Sequence, residues 1–471
     1  MLNKTTVQLM ALGLVGSFAA TAAAQDSGAL IDALVRKGVL KDQEAEQIRS
    51  QLSRDFAANS PAGKMNLSSS VKELKLSGDI RMRYQYQNEA AVASSGVQPA
   101  AGNEDHKTRY RLRLRVNADY KLADDFFAGF GLQTEQKSDS GNQTMSGGNG
   151  TTTTGTSAAG DYFQNYSIYI NKAFIGWNGI PGVTVIAGKQ ANPLYTTDLV
   201  WDADINPTGI SERFDLHKFL NLGPLELSLV GGQFVVADSD EGKNQSGKGN
   251  RDAIVYHTQL IASAKIADDV KLTVAPGFYT ANGGAAIGDG GGEYNSSKWA
   301  GVSGAPAASE QLRGLKVYTA PGDVSFKIAG KPVKFQWDLA WNADAESRTS
   351  LYNTTARTVS QSDRDSLAYL LGFQIGENKK KGDWSLLANY RQVGLSAIDP
   401  NINDSDWSLS YTNMAGFKVG FFYNLGDATT IGSSFYSANN LRSDLGGFSA
   451  AGPGSQANAV QVLQVDLSVK F

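Results

Sequence analysis

The chain has no cysteine, which excludes disulfides, thiolate metal sites and thiol nucleophiles together. Its histidines are only three, His106, His217 and His257, and they are scattered. After residue 60 no apolar run approaches the roughly 20 residues that a membrane helix needs, and no run of helical period stands out. A multidomain soluble protein with helical cores, the ordinary outcome at 471 residues, is therefore not what the pattern describes. A surplus of one charge is missing as well. The formal net charge of -3 argues against nucleic acid as a partner, because that partner favours a concentrated basic surface.

What is present begins with a short positive start at Lys4 and an apolar stretch from Val7 to Ala20, followed by Ala22-Ala23-Ala24. This is the pattern of a secretory signal peptide over residues 1–24, with the mature chain expected from Gln25. In residues 25–60, Leu30, Ile31, Leu34 and Val35 recur at helical spacing up to Gly38, and Ala45, Ile48 and Leu52 mark a second helix. Helices this short are marginal alone in water. They are expected in the periplasm, packed as a coiled coil between subunits or against the rim of a larger body. Residues 61–73 read as a linker.

From residue 74 to 471 the period is two. Leu74, Leu76, Ile80, Met82, Tyr84 and Tyr86 alternate with Lys75, Ser77, Asp79, Arg81, Arg83 and Gln85. In the next segment Tyr110, Leu112, Leu114, Val116 and Tyr120 alternate with Arg109, Arg111, Arg113, Arg115 and Asp119. One face is apolar and the other charged, as in an all-β transmembrane antiparallel barrel whose outside meets lipid and whose inside is wet. The connections agree with that architecture, because short turns alternate with long polar loops. Turns fall at 123–125, 178–182, 220–224, 267–269, 330–332, 377–382 and 426–428; loops fall near 87–108, 136–164, 189–209, 238–250, 281–311, 345–363, 394–412 and 439–458. These connections join 16 strands. Pro321-Gly322 interrupts the pattern within 312–328 and leaves 18 strands open.

Aromatic residues supply two girdles: Tyr120, Phe126, Trp177, Trp384, Tyr423 and Phe471 near periplasmic ends, and Tyr84, Tyr86, Tyr110, Phe278, Trp341 and Tyr390 near external ones. The last strand places Leu463, Val465, Leu467, Val469 and Phe471 on one face. It resembles the C-terminal assembly signal of bacterial outer-membrane proteins, with Leu467, Val469 and Phe471 as its core, and so implies the barrel-insertion machinery as a partner.

Three further segments carry a wider resemblance. They are Ala29-Leu30-Ile31-Asp32-Ala33-Leu34-Val35-Arg36-Lys37-Gly38-Val39-Leu40; Gly188 to Leu194 continuing to Leu199-Val200-Trp201-Asp202-Ala203-Asp204; and Asp404-Ser405-Asp406-Trp407 before Thr412-Asn413. Together they resemble the bacterial putative-porin family, and the N-terminal helix pair is similar to that preceding phosphate-selective porins. The resemblance implies a pore and, as in many porins, a homotrimer; it carries no substrate.

The sharpest candidate for selectivity is the set Arg81, Arg83, Arg109, Arg111, Arg113 and Arg115, all expected to line the pore. A one-residue slip would turn the arginines of the second strand into lipid, at about 2 to 4 kcal/mol each near the midplane. The third external loop, 189–209, is expected to fold inward as a constriction carrying Asp198, Trp201, Asp202 and Asp204. Acidic loop against basic wall would set a transverse field. Asp202, Asp204 and Asn206 have a calcium-like spacing but lack the Gly and terminal Glu of an EF-hand loop, so no metal site is assigned. No nucleophile motif and no phosphate-binding loop is present, and neither enzyme activity nor a cofactor is expected. The expectation is an outer-membrane porin in contact with lipid, passing small hydrophilic solutes. An anion- or phosphate-selective channel, or a closed structural or adhesin barrel, is the alternative.

Overall fold

In the computed structural model, residues 35, 37, 44–48, 50, 68–91, 104–134, 141–145, 166–237, 252–282, 312–353, 358–442 and 457–471 are described. The chain divides into two units, residues 1–69 and 70–471. In the first, residues 44–48 are helical with Ala45 buried. The expected signal peptide and the remainder of the N-terminal helix pair lie outside the described residues.

The alternation of the second unit folds into one antiparallel sheet that closes on itself. Its sixteen wall strands are β1 (Val71–Ala91), β2 (Glu104–Leu122), β3 (Phe126–Thr134) and β4 (Ile168–Trp177); β5 (Val183–Lys189), β6 (Thr208–Phe214), β7 (Leu225–Ala237) and β8 (Ala253–Ala267); β9 (Val270–Val274 and Gly277–Asn282), β10 (Lys316–Thr319 and Gly322–Ile328), β11 (Lys331–Asn342) and β12 (Leu367–Gly376); and β13 (Trp384–Val393), β14 (Met414–Asn424), β15 (Thr429–Asn440) and β16 (Ala457–Lys470). The wall closes where β1 pairs with β16, Ile80 opposite Val469 and Tyr86 opposite Leu463. Beyond the ladder, Gly78 and Phe471 exchange backbone bonds at 2.9 and 3.0 Å.

The open question at residues 312–328 resolves as a bend within one strand. Pro276 in β9 and Pro321 in β10 each lack an N–H and interrupt their strands. Their carbonyls still serve the sheet, since Pro276 accepts from Leu260 N at 2.9 Å and Pro321 from Ala275 N at 2.8 Å. The ladder passes through both breaks and the count stays at 16. The short turns use residues suited to positive φ: Asp124 and Asp125 at 58° and 60° make a two-residue hairpin whose twist matches the flanking strands.

Burial runs opposite to that of a soluble protein. Leu76, Ile80 and Met82 are exposed outward, whereas Asp79, Arg83, Gln85 and Gln87 on the same strand are buried inside. The outer girdles appear as exposed rings at Phe126, Tyr423 and Phe471 at one end and Tyr110, Trp341 and Tyr390 at the other. Inside, two external loops fold into the barrel. Residues 190–207 and 394–413 bring Leu199, Trp201, Ile398 and Trp407 against inward residues of the wall such as Tyr279 and Leu370, forming an apolar core within the lumen.

Candidate functional site

The basic wall arises from the register of β1 on β2. Arg81 stands opposite Arg113, Arg83 opposite Arg111, Gln85 opposite Arg109 and Asp79 opposite Arg115. Like charges in direct opposition repel, and interleaved acceptors offset the repulsion. Asp79 takes Arg113 at 3.0 Å and Arg115 at 2.8 Å. Arg83 donates from Nε and Nη2 to both oxygens of Asp466 on β16, at 2.7 and 2.8 Å, the two-pronged geometry that makes Arg–carboxylate pairs strong. Arg81 donates to Asn142 Oδ1 at 2.6 Å, Arg111 to the Asn142 carbonyl at 2.8 Å and Arg109 to Gln87 at 2.6 Å. All six arginines therefore point into the lumen. Arg115 also lines a cavity of about 390 Å³ together with Asp79, Asn117, Lys172 and Asn206.

The third external loop crosses this interior, and its predicted residues separate along the way. Thr197 donates to Asp338 on β11 at 2.7 Å. Asp198 meets Lys418 of β14 at 2.9 Å and Arg391 of β13 at 3.6 Å. Trp201 is 4% exposed and packs edge-on against Phe234, so it belongs to the apolar core and stands away from the water path. Asp202 accepts from the amide and hydroxyl of Ser405 at 3.0 and 2.9 Å, and its own amide bonds the Ile402 carbonyl. Of the three acids, only Asp204 returns to the basic wall, 3.5 Å from Arg113 and 3.4 Å from Arg115.

Sequence reasoning missed the second inward loop. Asp404 pairs with Arg391 at 2.8 Å and Asp406 with Arg83 at 3.4 Å. Arg391 has no exposed side-chain surface, and its guanidinium lies 4.9 Å from the Trp407 ring centre. The Asp404-Ser405-Asp406-Trp407 run was available as a signal, because acids in an otherwise external loop match inward cations left over in the strand pattern.

Position sets the titration of these loop acids. The Lys418 charge holds Asp198 well below the usual carboxylate range, at about 2, against the effect of burial. Burial raises Asp202. It pushes Asp404 up to about 6 against the pull of Arg391, and Asp399 up to about 7. Asp406 is raised by burial but ends below its ordinary value, because the Arg83 charge and the Gln464 amide outweigh that penalty.

A closed sheet with an apolar exterior, a charged interior and loops folded across it defines a transmembrane β-barrel of the porin kind. The family model described as "Putative porin" matches residues 17–283 and 323–471, and the protein belongs to that family. It is a porin, and the family and the barrel place it in the outer membrane. The chain is similar to a Salmonella typhi OmpF in complex with daunomycin, at 11% identity and TM-score 0.44 over 86% of this chain and 100% of that one. It is similar also to an engineered variant of the Rh. blastica porin, at 12% identity and TM-score 0.38 over 85% and 100%. No curated protein sequence matches the chain.

Proposed function

We propose that this porin lets small hydrophilic solutes and ions diffuse passively through a constriction bounded by the β1–β2 arginines and the third external loop, without covalent chemistry or cofactor. The observation that carries the reading is the third external loop reaching the basic wall, where Asp204 meets Arg113 and Arg115 at 3.5 and 3.4 Å and sets carboxylate and guanidinium groups side by side. Opposed charges in a confined aqueous passage orient water and favour polar solutes over apolar ones. Asp198, Asp202 and Trp201 act by holding the loop in place. Residues 25–60 form a periplasmic segment serving association or wall contact, after removal of residues 1–24. The protein works as a homo-oligomer. Leu467, Val469 and Phe471, all exposed outward, serve recognition by the insertion machinery.

Conductance of the purified protein in planar bilayers tests this. Discrete steps whose size follows bulk conductivity are expected; a protein that inserts but gives no steps would be a closed anchor. A second reading, a pore that prefers anions, is favoured by Arg81, which bonds a neutral amide where Arg83 and Arg113 bond carboxylates.

A further inference from the structure

On the outer wall, Glu212 of β6 shares its face with Ile210 and Phe214, both exposed outward, while Ser211 and Arg213 between them turn inward to Gln190 and Ser228. The carboxylate thus lies on the side that meets lipid. Its depth follows from the ladder. One row of directly opposed residues runs through Trp177, Val185, Glu212, Gly231, Thr258 and Phe278. Because the strands tilt, this row climbs from the periplasmic girdle at Trp177 to the external girdle at Phe278. Glu212 stands two strands from the first and three from the second, between the girdles.

Hydrocarbon offers a carboxylate neither water nor a proton donor, and the hydrogen bond Glu212 receives here comes from a neutral amide, Gln233, at 3.5 Å. The wall is also low at this point. β5 and β6 have seven residues each, and bonds from Gln190 N to the Pro207 carbonyl and from Asp215 N to the Gly182 carbonyl extend their pairing by one residue at either end; at about 3.3 Å per residue and a tilt of about 45° this wall rises about 21 Å, short of an apolar band about 25 Å tall. It is flat as well, with Ala187 beside Ile210 and Gly231 beside Glu212.

We propose that the outer face of β4–β7, centred on Glu212, is the contact between copies of this chain. The patch sets an acceptor, Glu212, beside the donors Gln233 and Thr258, with Lys189 on the same face by register. It therefore complements a rotated copy of itself, and a neighbouring barrel supplies both the polar cover and the height that the wall lacks. This assigns a surface to the homo-oligomer proposed above and rests on that reading.

The absence of cysteine makes the test clean. Ile210→Cys places a thiol on the patch, and Leu371→Cys places one on the outer face of β12, where Leu371 is 50% exposed. In native membranes treated with a bismaleimide, cross-linked copies are expected for Ile210→Cys and none for Leu371→Cys. Adding Glu212→Arg should abolish the cross-link while a heat-modifiable, conducting barrel remains, and adding Glu212→Gln should preserve it. Cross-linking at Leu371 alone, or an oligomeric mass in mild detergent with cross-linking at neither site, would overturn the surface and leave self-association standing. A monomeric mass with no cross-linking would overturn both.

Discussion

Two sides of one lumen obey the same period-two pattern and come to opposite ends. Along β1 and β2 the inward residues are arginines interleaved with Asp79 and side-chain amides; Arg83 and Arg113 are buried in their ion pairs, and Arg115 keeps a third of its side chain exposed. Across from them, the inward residues of β7–β14 meet two loops that shut water out, and Arg391 is sealed among Asp404, Asp198 and Trp407. The lesson is that inward parity alone does not make a surface conductive. The loop that lands on it decides whether a charge is part of the path or part of the packing.

The largest effect should come from breaking the sealed side. Arg391→Met leaves Asp404 buried without its closest cation, and removing one partner of a buried pair typically costs about 3 to 5 kcal/mol. Arg113→Met on the β1–β2 side removes a guanidinium from a buried pair with Asp79, but Arg115 still holds that carboxylate at 2.8 Å, so the loss should be smaller, about 1.5 to 3 kcal/mol, the range for a hydrogen bond to a charged group. Denaturant midpoints in detergent measure the contrast; equal losses would mean that the two sides are energetically alike.

Selectivity should show the reverse ranking. Arg111→Ala combined with Arg113→Ala is expected to move the reversal potential toward cation preference, whereas Arg391→Lys should leave it nearly unchanged. The shift should shrink at high salt, where the screening length falls to about 3 Å at 1 M. An unmoved potential in the double variant would make the basic wall a solvated surface without influence on permeation.

The smallest effect is a pH step. Asp404, pushed up to about 6, is charged at neutral pH and neutral near pH 5, while Asp198, held at about 2, stays ionised through that range. Loss of a negative charge tips the field toward anions, so anion preference should rise as pH falls through about 6, and Asp404→Asn should remove the step. The linked stability has two signs. A carboxyl raised above its ordinary 3.8 favours the folded state as pH falls from above 6 toward 3.8, whereas Asp198, lowered, withdraws its contribution as pH falls from 3.8 toward 2. The packed side should accordingly be firmest near pH 4, where Asp404 has regained most of its contribution and Asp198 still keeps most of its own, and weaker at both pH 6 and pH 2.

The wall was legible in the sequence because its signals are local. Alternation around Arg109–Arg115, turn residues at Asp124-Asp125 and the girdle aromatics each report on their own few residues. Pro321 was ambiguous because a proline can end a strand or bend it, and the deciding bond, from Ala275 N to its carbonyl, belongs to a neighbouring strand. The interior loops were less legible still. Asp198 reads as a constriction acid until Lys418 of β14 is brought beside it, and Trp201 reads as a pore aromatic until Phe234 covers it. Side chains on an inward loop take their role from residues far away in the chain, which periodicity does not record.

The apolar core held by residues 190–207 and 394–413 separates two quantities that a barrel normally ties together. Strand number sets the girth of the wall, but here the clear cross-section is the part the loops leave open, on the side of β1, β2 and β4, whose residues line the cavity described above. Under the permeation proposed above, substitutions in these loops alone would change the size of molecule admitted, with the hydrogen-bonded shell untouched.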